Sequence, residues 1–379
     1  MIKTNVPQLR FSGFSGEWKQ EKFNNFVKRI SETSSSNQYK KIEFSDIDSG
    51  ILKNKLRNND SKGIKFLKKD VLFGKLRPYL KNWYYCNFDG IAIGDFWVYR
   101  AKKDYSNSTF IYYLIQTEKY NLVANYTTGT KMPRSDWNIV SNTLFGLPSF
   151  NEQQKIGDFF AKQDKLIELQ TQKVDQLKKL KRGYLQKMFP QEGETVPRLR
   201  FSGFSGEWKE AKIEDIYSIG RGLVLSKKRI SLNKTSGNIF PVYSSQTQNN
   251  GLLGYYSNYL YEDSITWTTD GANAGTVRFR SGKFYSTNVN GVLTNSNGYC
   301  NSMMANAIDR VAYKYVSHVG NPKLMNNTMK IIKIKYPSII EQKKISSFIN
   351  NIDHIIEEQS NKIGELKKQK KSYLQKMFV

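Results

Sequence analysis

The sequence predicts an α+β fold written twice: two mixed α/β domains separated by two long helices and related by a pseudo-two-fold internal repeat. Three observations predict it. The phrase "VPQLRFSGFSGEWKQEKF" at residues 6–23 recurs as "VPRLRFSGFSGEWKEAKI" at 196–213, with 14 of 18 residues identical. A longer repeat follows each copy, because residues 147–189 align without a gap with 336–378 at an offset of 189. Between the repeats lie 24–146 and 214–335, of 123 and 122 residues, matched in length but without comparable agreement residue by residue. Self-similarity at a fixed period marks a repeated architecture, and 379 residues exceed what one hydrophobic core usually serves. The boundaries follow: a first domain over 1–146 with entry repeat 6–23, a helix over 147–189, a second domain over 190–335 with entry repeat 196–213, and a second helix over 336–379.

In the first domain, "DVLFGKLRPYL" and "GIAIGDFWVYR" have strand character between Gly and Pro punctuation, and "STFIYYLIQTEKYNLVANY" reads as a helix. The helix over 147–189 opens on Ser149 and Glu152, and its duplicate on Ser338 and Glu341. That is the capping-box spacing, in which serine and glutamate satisfy each other's orphan backbone donors, with Pro148 and Pro337 just outside. Beyond the cap, positions 156, 160, 163, 167, 170, 174, 177, 181, 184 and 188 step by alternating 4 and 3, the spacing of a coiled-coil seam. The apolar seam residues are Ile156, Phe160, Ile167, Val174 and Leu177 in the first helix, and Ile345, Ile349, Ile352, Ile356, Ile363 and Leu366 in the second, with Tyr184, Met188, Tyr373 and Met377 near the ends. A helix of roughly 60 Å with so narrow a stripe requires another helix, and the nearest candidate is its own duplicate. Gln170 and Gln359 share a seam position and fit either a register-fixing polar layer or a solvated gap. The second domain carries short aromatic and β-branched runs divided by Gly and Asn turns over 251–293, then a helix in "SMMANAIDRVAYKYV".

The net charge of +26 attracts polyanions, nucleic acid first and acidic membrane surface second. Most of it lies in the divergent segments, +9 for residues 24–146 and +8 for 214–335, against +4 and +3 for the two long helices. Candidate DNA contacts are Lys75 and Arg77 in "GKLRPY", Lys131 and Arg134 in "GTKMPRSDW", and Arg221, Lys227, Lys228 and Arg229 in "GRGLVLSKKR". Gln246 and Gln248 in "YSSQTQNN", Asn273 and Arg278 in "TDGANAGTVRFR", and Lys323 in "GNPKLMNN" complete the set. Arg and Lys hold phosphates or guanine edges, and Asn and Gln match adenine. For each one the alternative is an ordinary solvated side chain or turn.

Marks of catalysis are few. There is no GxxxxGK[ST] loop, no GxGxxG after a strand and no HExxH. His318 lacks an activating partner in its neighbourhood and His354 lies off the seam; Asp70 beside Lys68 and Lys69 lacks the paired carboxylates of a nuclease centre. Cys86 and Cys300, far apart and outside any CxxC, indicate neither a disulfide framework nor a metal site and suit a cytosolic protein. The N-terminus lacks the apolar core of a leader peptide, and no apolar run approaches a membrane span.

With tandem basic domains, each followed by a capped helix, the chain resembles the specificity subunit of bacterial type I restriction–modification systems. The resemblance rests on "LPSFNEQQKI" and "YPSIIEQKKI" at the helix starts, "KLKRGYLQKMF" and "KQKKSYLQKMF" at their ends, and the recurrent "LRFSGFSGEW". It implies two target-recognition domains separated by an antiparallel helix pair, reading the halves of one bipartite, asymmetric site in double-stranded DNA. The heptads alone leave parallel pairing open. It implies a subunit without activity of its own in the bacterial cytoplasm, not on a membrane. The partners would be two methyltransferase subunits and the restriction subunits, which carry S-adenosylmethionine, ATP and Mg. Competing readings are a basic coiled-coil scaffold binding RNA or acidic partners, and an autonomous nuclease or methyltransferase. Trp18 and Trp208 read as anchors in equivalent packing sites, and the first entry phrase is expected to pack where the second helix ends.

Overall fold

The computed structural model describes residues 5–48, 50–53, 60–126, 132–246 and 248–379. The chain divides into two units, one formed by residues 1–172 and 360–379, the other by 173–359. Each unit therefore joins one domain to the first half of one long helix and the second half of the other. No helix is long and apolar enough to cross a membrane among the described residues.

In the first unit two four-stranded sheets face each other. One runs Thr33–Ser34, Gly63–Phe66, Gly90–Ala92, Lys40–Ile42; the other runs Val27–Ile30, Phe96–Ala101, Val71–Gly74, Trp83–Tyr85 and is wholly antiparallel. The second sheet is buried on both faces, which is why "VLFG" and "FWVY" read as continuous apolar runs. Leu72 and Val98 enter the core between the sheets with Ile42 and Phe66, whereas Val71, Phe73, Trp97 and Tyr99 enter the core under the helices. The stretch expected as one helix is two, Ser108–Leu114 and Glu118–Ala124. Thr117 ends the first by donating to the Leu114 carbonyl (2.7 Å) and caps the second by accepting from the Tyr120 amide (3.3 Å).

The second unit is built differently, on a six-stranded sheet in the order Ser218–Arg221, Asn290–Thr294, Tyr261–Thr268, Val277–Ser286, Phe240–Tyr243, Leu252–Tyr256. Helix Ser302–Ala312, capped by Asn301, covers it with Met303, Met304 and Ile308, all fully buried. Trp267 fills the centre and donates its indole N–H to the Leu324 carbonyl at 2.9 Å.

The frame holding these unlike domains is the same in both units. The long helices run Phe150–Met188 and Ile339–Met377, 39 residues each. Every one of the ten seam positions in each helix is buried or half-buried, Ile156, Phe160, Val174, Ile345 and Ile349 fully and Ile167, Leu177, Ile352, Ile356, Ile363 and Leu366 partly. The helices run antiparallel within each unit. In the first, the Phe159 and Tyr373 rings meet at 5.2 Å and Lys370 reaches Asp164 at 2.6 Å. In the second, the symmetry-equivalent Phe348 and Tyr184 meet at 5.1 Å and Lys181 reaches Asp353 at 2.6 Å.

Each entry phrase closes its frame in the same way. Lys19–Lys22 pairs with Leu144–Leu147, and Lys209–Lys212 with Lys333–Tyr336, both antiparallel. The Leu9 amide donates to the Lys376 carbonyl and the Leu199 amide to the Lys187 carbonyl, both at 2.9 Å. The first phrase thus packs at the end of the second helix, as the second phrase follows the end of the first. Ser149 and Ser338 each accept from the amide three residues on at 3.4 Å, half of the expected capping box. The other half is absent: the Glu152 carboxylate takes both arms of Arg10 (2.7 Å each), and Glu341 both arms of Arg200 (2.8 and 2.7 Å). A bidentate guanidinium is a stronger donor to a buried carboxylate than one backbone amide, so the tertiary ion pair wins.

Trp18 and Trp208 are 3% and 4% exposed, so neither is available to stack on a base. Trp18 packs on Phe110 and Phe378 and donates to Glu152 at 3.3 Å, whereas Trp208 packs on Phe189 and its buried indole N–H has no acceptor among the described residues. Trp18→Phe is accordingly expected to cost about 1 kcal/mol more than Trp208→Phe. Amide hydrogen exchange local to each phrase measures the difference; equal loss of protection would show that the Trp18 hydrogen bond contributes nothing.

Candidate nucleic-acid interface

The candidate contacts fall into groups that the fold assembles separately in each unit. In the first unit the turn carrying Lys75 and Arg77 lies edge to edge with the segment carrying Arg134. The Arg77 amide donates to the Pro133 carbonyl (2.8 Å), the Ser135 amide donates to the Lys75 carbonyl (2.9 Å), and Leu76 bridges Arg134. Asp95 sits between them, 3.7 Å from the Lys75 ammonium and 3.1 Å from the Arg134 guanidinium. Two cations thus share one half-exposed carboxylate, and such surface pairs are weak enough for phosphate to displace. Arg77 is exposed, has no carboxylate partner among the described residues, and stands in the left-handed region at φ 48°, as does Lys81 at φ 59°. Pro78 opens the 3-10 turn between them, so the side chain is presented on a stiff corner. Lys131 lies outside the described residues.

In the second unit Arg221, Asp270 and Lys323 come together. Arg221 donates to the Asn288 carbonyl (2.8 Å) and approaches Asp270 at 3.7 Å, while Lys323, exposed, pairs its backbone with Asp270. The neighbouring Gly-rich turn brings Asn273 to the Ser245 carbonyl at 3.4 Å, and Gln246 of that second loop donates to the Leu252 carbonyl. Arg278 is exposed two residues past the turn, opposite Thr266, with no acidic partner among the described residues. The side chain of Gln248 lies outside the described residues. Lys227, Lys228 and Arg229 are placed elsewhere: their 3-10 turn is exposed, Arg229 stacks 4.9 Å above Tyr256, and Ser231 pairs with Tyr255 at the sheet edge. No ion pair or hydrogen bond among the described residues joins them to the Asp270 group.

Two residues escaped the sequence reading. Asp95 organises the first group from a separate turn. Arg280, two residues after Arg278 on the same strand, is only 8% exposed and reaches back to the loop of Gln246. The alternation "VRFR" could have placed both arginines on one face, but not shown that a loop covers the second.

Other ionisable groups have structural roles. Asp70, buried, accepts both arms of the partly exposed Arg100 at 2.8 and 2.7 Å. Burial pushes the Cys86 thiol well up and that of Cys300 to about 11, leaving both as protonated core residues. No group of three or more His, Cys, Asp or Glu residues is placed to hold a metal ion among the described residues.

Two unlike basic domains on a repeated helical frame define a DNA-binding protein with two target-recognition domains. The model of the type I restriction modification DNA specificity domain matches twice, at residues 17–179 and 205–368, and the chain belongs to that family. Among curated relatives, a putative type I specificity subunit N-terminus of Mycoplasma pneumoniae is 41% identical over 145 residues, 38% of this chain and 76% of that protein. A second putative specificity subunit of the same organism is 34% identical over 165 residues, 43% of this chain and 44% of that protein. Among solved structures, the S subunit of a type I restriction–modification system from M. genitalium superposes with a TM-score of 0.68 at 15% identity, covering 99% of both chains. A chain from a structure of the type I R-M system gives 0.56 at 17% identity, covering 95% of this chain and 97% of the other. These likenesses establish the fold.

Proposed function

We propose that this chain is the sequence-recognition subunit of a type I restriction–modification complex, in which each basic domain reads one half of a bipartite, asymmetric site in double-stranded DNA. The paired helices set the length of the unread gap and dock two methyltransferase subunits, to which restriction subunits add. The observation that carries the reading is the contrast between frame and cargo. The Arg10–Glu152 and Arg200–Glu341 pairs, the buried tryptophans and the helix contacts recur at equivalent positions, whereas the sheets they hold differ entirely. Two copies of one partner need equivalent docking surfaces; two different half-sites need different reading surfaces.

Catalysis belongs, on this reading, to the partners, which bring S-adenosylmethionine, ATP and Mg; the purified chain alone neither methylates nor cleaves DNA. Activity without added subunits would favour an enzyme, and binding indifferent to duplex sequence even with methyltransferase present would favour a scaffold for RNA or acidic partners.

Arg77 and Arg278 test the division of labour. Replacing either by alanine is expected to relax one half-site only, by about 1–3 kcal/mol if it reads a guanine. Methylation of a library randomised in both half-sites measures this. Uniform weakening on all sequences with a shallower salt dependence would instead assign the residue to phosphate.

A further inference from the structure

Arg280 is a buried cation without an anion. Its guanidinium lies 3.9 Å above the Tyr243 ring, its Nε donates to the Thr266 hydroxyl at 3.1 Å, and its Nη1 donates to the Asn250 carbonyl at 2.7 Å. No carboxylate pairs with it among the described residues, and the charged side chain that acts on it is another cation, Arg278. A side chain whose only task was to fill this space would be better apolar, since a buried charge without a counter-ion is costly. Desolvation is strong enough to bring its pKa down to about 10.

What Arg280 holds explains its presence. The loop between strands Phe240–Tyr243 and Leu252–Tyr256 contains Asn249 and Asn250 in consecutive left-handed conformations, φ 50° and 53°, followed by Gly251 at φ 86°. Asparagine tolerates that region better than other side chains, and two such residues in succession have the geometry of a tight primed turn, whose placement on the sheet depends on what holds its carbonyls. Arg280 holds the loop from beneath, and Asn273 holds it from the side through the Ser245 carbonyl. The loop so fixed presents the exposed Gln246, Asn249 and Asn250, whose amide groups are suited to the paired donor and acceptor of an adenine edge.

We propose that Arg280 is a positioning residue for base reading: it locks the loop around Asn249 and Asn250 in the shape that meets base edges of one half-site. The proposal rests on the half-site reading above and adds to it the loop and the residue that sets its geometry.

The test is methylation of a randomised library by the full chain assembled with its methyltransferase subunits, comparing wild type with Arg280→Met and Thr266→Val. Arg280→Met is expected to assemble normally and to lose roughly 10- to 100-fold in discrimination at bases of one half-site, the other being unchanged. Thr266→Val, which removes the acceptor orienting Nε together with the long bond (3.5 Å) that its hydroxyl donates to the Arg278 carbonyl, is expected to relax the same bases to a smaller extent, and decides the matter if Arg280→Met does not fold. A bipartite wild-type map left unchanged by the folded variants would overturn the role of Arg280 alone. Equal loss on all sequences with a shallower salt dependence would also overturn it, by making Arg280 a phosphate contact. A wild-type complex that modifies no defined sequence would overturn the half-site reading itself.

Discussion

Glu152→Ala is expected to destabilise the first unit by about 2–3 kcal/mol, because it takes two of three acceptors from a half-buried guanidinium and removes a buried carboxylate. Arg10 would keep one acceptor, the Gly16 carbonyl, for a group that now has three bonds. Glu341→Ala does the same to Arg200 in the second unit, where the guanidinium is 14% exposed. The two losses should nevertheless differ. Glu152 also accepts from Trp18, whereas the Trp208 indole has no acceptor among the described residues to lose. Glu152→Ala should therefore cost about 1 kcal/mol more than its counterpart. Denaturant-dependent hydrogen exchange, followed in each entry phrase, reports both values. Replacing both partners with apolar residues of similar size should recover most of the loss, since the penalty comes from the unpaired charge and not from the missing attraction. Equal small effects of both alanine substitutions would remove this ion pair from the account of the frame.

The second large effect concerns spacing. Inserting seven residues into each helix, within 160–180 and at the equivalent positions of 349–369, preserves the heptad phase and lengthens the pair by about 10 Å at 1.5 Å per residue. If the helix pair sets the gap, the unread segment should grow by about three base pairs at 3.4 Å each, with both half-sites unchanged. Insertion of two residues instead would turn the seam out of the pair, exposing Ile167 and Val174, and should abolish assembly. A methylation map with an unchanged gap after the seven-residue insertion would contradict the spacer role.

Much of the frame was legible because it is local or repeated. The seam from Ile156 to Met188 follows from heptad spacing, and the duplicate confirms it within one sequence. The direction of helix pairing was not legible, since a stripe is satisfied either way; it is fixed by contacts such as Lys370 with Asp164, 206 residues apart. The same distance problem hid the fate of Glu152. Its spacing from Ser149 is that of a cap, but its carboxylate is claimed by Arg10, 142 residues away. In the recognition domains, strands could be placed from aromatic and β-branched runs, yet nothing in the runs distinguished two facing sheets from one six-stranded sheet. Charge composition points to Arg77 and Arg278, which are exposed, but it treats every arginine alike. Arg280 is separated from its exposed neighbour Arg278 by one residue and is buried by a loop about thirty residues earlier in the chain.

The most direct test of the central claim is a map of methylated adenines in DNA exposed to the chain assembled with its methyltransferase subunits. The account predicts a single asymmetric motif with two specified halves, a methylated adenine in each, and a fixed unread gap between them. Modification at one continuous motif, or without regard to sequence, would contradict it.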